Sequence, residues 1–160
     1  MPTHSDYLES IHFISRVPLG MHDQARGGES LMAFDFGERR IGVALGNTIT
    51  GGARPLAVIE QTRREVRFSE IAALIEAWQP TRLVVGQPRF PDGADHPFAA
   101  RCRRFANQLQ GRFGLAVELV DERWTSALAP GRDPVDAEAA AILLQAVLDT
   151  LSRHAPIHSN

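Results

Sequence analysis

At 160 residues and 44% hydrophobic content, the chain is long enough to bury one well-packed core, and one domain is the default. A formal net charge of −2 excludes a global basic field, and a single cysteine, Cys102, excludes an internal disulfide framework. The most apolar stretch, Ala137–Leu148, holds Glu138 and Gln145 and is too short to span a bilayer.

All 17 basic residues are arginine. Arginine suits bidentate phosphate contacts, although a GC-rich genome produces the same bias. The six histidines are scattered without zinc-ligand spacing. Residues 1–15 lack a basic start followed by an apolar run, so no signal peptide is expected, and the protein is expected in the cytoplasm.

Residues 1–30 read as a flexible extension, with no sustained period beyond a weak helical turn around Tyr7–Ile14; Met21 offers a second start. The domain is expected over 31–153, with 154–160 as a tail. It opens on two short apolar runs, Leu31–Phe34 and Ile41–Leu45, separated by the polar, glycine-bearing Asp35–Arg40. That pattern predicts a tight hairpin with Asp35 at the end of a largely buried strand. Gly51-Gly52 marks a turn before a third strand, Ala53–Ile59. Thr62 and Glu65 have capping-box spacing, and the helix they would start carries Ile71, Leu74, Ile75 and Trp78 on one face before Pro80. A fourth strand, Arg82–Gly86, leads through a loop to Pro97, a good first helical residue. Phe98, Cys102, Phe105 and Leu109 then recur at helical spacing, which makes Cys102 small core filler. Arg101, Arg103 and Arg104 fall on the other sides as a solvated face, and Gly111 and Gly114 end that helix. Leu115–Val120 is the fifth strand; a Pro- and Gly-bearing linker, Leu128–Pro134, precedes a last helix, Val135–Leu151. The expected fold is α/β: a five-stranded mixed sheet, its first three strands antiparallel and the later ones parallel to the first, flanked by helices.

Three acids stand out by position. Asp35 closes the first strand, Glu122 follows the fifth, and Asp136 opens the last helix. Parallel first and fifth strands would bring their C-terminal ends to one sheet edge, where ligands of open α/β sheets bind. Each acid also has an ordinary reading: Asp35 as a turn aspartate, Glu122 as the surface partner of Arg123, Asp136 as a first-turn acid on the helix dipole. Asp121 and Glu122 are adjacent, so only one of them can share Asp35's face, and alternation alone does not say which. Converging, three carboxylates repel one another unless a hard divalent cation bridges them, and oxygen ligands select Mg2+ or Mn2+ over zinc. Two such ions suit in-line displacement at phosphorus.

Five segments, Ala33-Phe-Asp-Phe-Gly37, Arg40-Ile-Gly-Val-Ala44, Val85-Gly-Gln-Pro88 with Asp92-Gly93, Asp121-Glu-Arg123 with Thr125, and Asp136-Ala-Glu-Ala-Ala140, lie in order along the chain. Together they resemble the YqgF family, the RuvX-type pre-16S rRNA nucleases, also described as Holliday junction resolvases, with an RNase H-like fold. The resemblance spans Leu31 to Leu151. It implies Asp35, Glu122 and Asp136 as catalytic acids and metal ligands, choosing Glu122 over Asp121, with Mg2+ or Mn2+ as cofactor. The chain departs from the family pattern at Gly46-Asn47, where many members have Ser-Asp, at Gln87, at Arg89-Phe90-Pro91, and in a shortened Trp124–Val135 segment that bears on substrate grip.

The function expected from that resemblance is metal-dependent cleavage of structured RNA, at the 5′ side of precursor 16S rRNA in ribosomal precursor particles. Arg40 and Arg123 would hold phosphates, the alternative for each being an ordinary ion pair; Thr125 reads as a local backbone cap. Cleavage of branched DNA is a second reading, because both substrates present the same phosphodiester. A non-catalytic interaction module on the same fold is a third, favoured by the shortened segment. The D-x-G turn of sugar kinases and actin-like ATPases is a fourth, but those proteins need two such domains.

Overall fold

The computed structural model describes residues 12–13, 28–61, 63–88, 92, 96–121 and 136–153. Six strands form one sheet: β1 (His12–Phe13), β2 (Ser30–Phe36), β3 (Arg40–Asn47), β4 (Ala53–Glu60), β5 (Arg82–Gln87) and β6 (Ala116–Asp121), in the order β1-β6-β5-β2-β3-β4. The β2–β3 and β3–β4 pairs are antiparallel, and β5 runs parallel to both β2 and β6. These are the five expected strands in the expected directions. The addition is β1, whose two residues pair antiparallel with Leu119 and Glu118 of β6. Two residues of the extension expected to form a helical turn are therefore strand.

Strand alternation sorts the core into two layers. Met32, Phe34, Leu83, Val85, Val117 and Leu119 face the helices α1 (Arg64–Trp78) and α2 (Ala99–Phe113). Leu31, Ala33, Val84 and Val120 face α3 (Asp136–Arg153), against Ala140, Leu143, Leu144, Val147 and Leu148. β5 and β6 are buried on both faces, which is why their sequences read as continuous apolar runs. β4 is the outer strand on the other side, mostly exposed, and tolerates Pro55 beside a register shift at Val43/Ala44.

Phe105 centres the first layer, stacked 4.5 Å from Phe36 and edge-on to Phe34 at 5.8 Å. Cys102 is fully buried there, as expected of core filler. Trp78, expected on the buried stripe of α1, is 42% exposed and carries the Arg54 guanidinium 4.8 Å from its ring. The helix ends also differ from expectation. The N-cap of α1 is Arg63, without a side-chain cap bond, so the Thr62–Glu65 box is out of register by one residue; Thr62 itself lies outside the described residues. Pro97 sits in a turn before the Phe98 N-cap of α2, and Gly111 lies inside the helix, which ends at Gly114 in the left-handed region, φ 64°.

A buried ion pair locks the far edge of the sheet. Arg82 Nη1 donates to Glu118 Oε1 at 2.6 Å, and its Nη2 to Glu29 Oε1 at 3.1 Å. Burial pushes the Glu118 carboxyl above the usual carboxylate range, and the Arg82 charge opposes that shift.

Candidate functional site

Asp35 is inside the β2–β3 ladder, paired with Gly42, and the turn beyond it is closed by Gly37 N–H donating to the Arg40 carbonyl at 2.9 Å. This overturns the reading of Asp35 as a turn aspartate. Alternation with Leu31 and Ala33 puts its half-buried carboxylate on the α3 face of the sheet. Its neighbours on that face are small. Gly42 lies directly opposite, and the residue after the last β2–β5 pair, Phe34↔Val85, is Gly86. Neither strand neighbour places a Cβ beside the carboxylate at the centre of the sheet's edge. Gly42 and Gly86 thus belong to the site, although in the sequence they read only as members of motifs.

The start of α3 reaches the same edge. Gln145 of α3 accepts from Ala53 N–H at 3.0 Å and donates to the Gly51 carbonyl at 2.7 Å. Leu148 Cδ1 lies 2.9 Å from where a Cβ on Gly46 would stand, and Gly46 pairs with Leu31. The C-terminal half of α3 therefore covers the start of β2, so the helix runs antiparallel to that strand. Position 136 lies twelve residues before Leu148, about 18 Å of helix. Asp35 lies four residues after Leu31, about 13 Å of strand. The first turn of α3 thus ends level with Asp35 or just beyond it, and position 136 continues the stripe of 140, 143 and 147 that packs on the sheet.

Asp121 is turned away from this face. It follows Val120, which packs against α3, and is buried in register with Gln87 on the α1–α2 side. Gln87 is 1% exposed, and Arg103 Nη1 lies 3.5 Å from its Oε1. Arg103 is consequently half-buried rather than part of a solvated face, and the departure at Gln87 is a buried amide answering that arginine. The Gly46-Asn47 departure is structural too: Asn47 Oδ1 accepts from Thr50 N–H at 2.8 Å, capping the turn before β4. Arg40 begins β3 at the Asp35 edge, exposed. Glu122, Arg123, Thr125 and the Trp124–Val135 segment lie outside the described residues, as does the side chain of Asp136. Among the described residues no group of three or more His, Cys, Asp or Glu is placed to hold a metal ion, and no helix is long and apolar enough to cross a membrane.

A family model described as "RuvX: Holliday junction resolvase" matches residues 29–150, nearly the whole of this sheet and its helices. The chain belongs to the RuvX family. A RuvX relative from Bordetella avium, named "Putative pre-16S rRNA nuclease", is 58% identical over 128 residues, covering 78% of this chain and 98% of its own. The Bordetella petrii relative of the same name is 56% identical over 127 residues, covering 77% and 97%. Among solved structures, Thermus thermophilus RuvC in complex with a Holliday junction substrate matches with a TM-score of 0.54 at 15% identity, over 79% of this chain and 96% of that one. That likeness shows the fold alone, and the fold is the RNase H-like one the resemblance implied.

Proposed function

We propose that this RuvX chain is a divalent-cation-dependent endonuclease acting on structured RNA, and that its substrate is the 5′ side of precursor 16S rRNA in ribosomal precursor particles of the cytoplasm. The observation that supports this reading is the antiparallel run of α3 over the sheet face that carries Asp35. The relatives' name supports the RNA substrate. In this reading residues 31–153 are the nuclease domain, with 1–30 an extension and 154–160 a tail.

The donor set fits a hard cation. Asp35 offers carboxylate oxygens between Gly42 and Gly86, and Glu122 and Asp136 would add oxygens of the same kind. Alternation favours Glu122 over Asp121, since Asp121 is committed to the opposite face. When bound, Mg2+ or Mn2+ activates water and stabilises charge on the leaving oxygen. The chain's own residues position the reaction: Asp35 is held rigid by the central strand, and Arg40 and Arg123 hold phosphate oxygens through charge-assisted bonds.

The test is Mg2+- or Mn2+-dependent cleavage of a precursor-rRNA fragment and a four-way DNA junction, run in parallel. Asp35→Asn, Glu122→Gln and Asp136→Asn should each abolish cleavage. The family description favours the junction as a second reading, and preferential cleavage of it would replace the RNA assignment. Undiminished biological activity in Asp35→Asn would return the chain to the class of non-catalytic modules.

A further inference from the structure

The other face of the same edge carries a feature that the acids do not use. Phe36 follows Asp35 and points to the α1–α2 side, into a floor of rings: it stacks on Phe105 at 4.5 Å and on Phe98 at 5.7 Å, and Phe105 stacks on Phe68 at 6.1 Å. Three arginines lie over this floor. The Arg67 guanidinium is 5.0 Å from the Phe68 ring centroid, 5.7 Å from Phe36 and 5.9 Å from Phe105. Arg112 is 4.1 Å from Phe68, and Arg101 is 4.9 Å from Phe98. Aromatic faces attract guanidinium groups and hold their planes in place. The arrangement is thus ordered rather than a loose solvated surface.

Among the described residues, charge in this cluster is left unbalanced. Burial first, and then the neighbouring charges of Arg64, Arg101 and Arg112, hold Arg67 below the usual guanidinium range. The ion pair described among them, Arg101 Nη1 to Glu38 Oε1, spans 3.8 Å between two exposed side chains and offsets little. Arg67 Nη1 donates to Gln61 Oε1, yet its buried Nε has no hydrogen-bond partner among the described residues. A chain of net charge −2 thus gathers four mutually repelling arginines in one place.

We propose that Arg64, Arg67, Arg101 and Arg112 form a phosphate-binding surface for a polynucleotide backbone, on the sheet face opposite Asp35. From Arg101 to Arg112 the helix α2 rises about 16 Å. That span exceeds a single phosphate and corresponds to about five steps along one strand of a duplex. The surface is also continuous with the turn next to Asp35: Gln61, which accepts from Arg67, donates to the Gly37 carbonyl there. A backbone that crosses the Asp35 edge therefore meets this surface, which supplies grip beyond the edge itself. Only the identity of the polyanion rests on the nuclease reading.

The experiment is fluorescence anisotropy of a fluorescein-labelled single-stranded RNA with the full chain in EDTA, titrated with salt between about 50 and 200 mM. The triple variant Arg64→Gln/Arg101→Gln/Arg112→Gln leaves the packed Arg67 in place. It should lower the slope of log K against log salt by about 2, one counterion-release increment per arginine. An unchanged slope in a variant with a normal melting curve overturns the proposal. If the triple variant does not fold, Arg101→Gln and Arg112→Gln singly should each lower the slope by about 0.7, and no change in either overturns it. Poly-glutamate displacing the RNA as well as unlabelled RNA does would also overturn it, in favour of an acidic protein partner. Failure of the nuclease reading shows separately, as wild-type protein that does not cleave with Mg2+ or Mn2+ whatever its salt slope.

Discussion

Arg82→Met isolates the buried ion pair that joins β5 to β6. Methionine keeps the apolar stem but removes the guanidinium, stranding a Glu118 side chain that is 2% exposed. Breaking a buried pair from one side costs about 3–5 kcal/mol, because the remaining charge stays desolvated. For a domain of this size that lowers Tm by about 6–20 °C. The pH dependence carries a sign. Burial already holds the Glu118 carboxyl above its ordinary value, and Arg82 opposes the shift. Without Arg82 the folded-state pKa climbs further, so the native variant binds a proton over a wider window than its unfolded chain. Its stability is then highest below the ordinary carboxylate pKa and falls as pH rises through the raised folded value. Urea melts followed by circular dichroism at acidic and mildly alkaline pH should show a larger deficit at the higher pH. Adding Glu118→Gln to Arg82→Met should recover most of the deficit, since a neutral amide replaces the stranded charge. A pH-independent deficit with no recovery in the double variant would refute the desolvation argument.

Other outcomes follow from packing and from the orientation of the acids. Gly46→Ala would place a Cβ 2.8 Å from the Gly52 carbonyl and 2.9 Å from Leu148 Cδ1, so thermal melts should show a loss of about 1–3 kcal/mol as α3 lifts from the sheet. Phe105→Ala removes the ring on which Phe34, Phe36 and Phe68 converge, and denaturant unfolding should show a loss of about 3–5 kcal/mol. Calorimetric titration with Mn2+ should separate the aspartates on the two faces of the sheet: Asp35→Asn weakens uptake of the ion, whereas Asp121→Asn, committed to the other face, retains it.

The sheet was readable because its signals are local. The apolar runs at Leu31–Phe34 and Ile41–Leu45, the Gly51-Gly52 turn and the helical spacing from Phe98 to Leu109 each act within a few residues. Asp35 as a candidate site residue is legible from the parallel run of the first and last core strands and from the family motifs, whereas the antiparallel return of α3 over its face is legible only in the structure. Its glycine neighbours depend on register between three strands, which no single segment encodes. The arginine cluster was hidden for a related reason. Arg67 and Arg112 belong to different helices, and only the aromatic floor between them makes one surface. Arg101 and Arg103 look equivalent in sequence, yet one lies over Phe98 and the other turns toward Gln87. β1 has too few residues to show any period, and its pairing is set entirely by β6.

That short pairing has a consequence for how the molecule meets its own copies. His12 and Phe13 occupy amide and carbonyl positions along the outer rim of β6, a strand otherwise buried on both faces. Without that pairing, the rim of β6 would, among the described residues, offer unpaired amide and carbonyl groups to a strand from another molecule. The two residues thus stand between that rim and edge-to-edge pairing in concentrated solution, independently of any change at the acids.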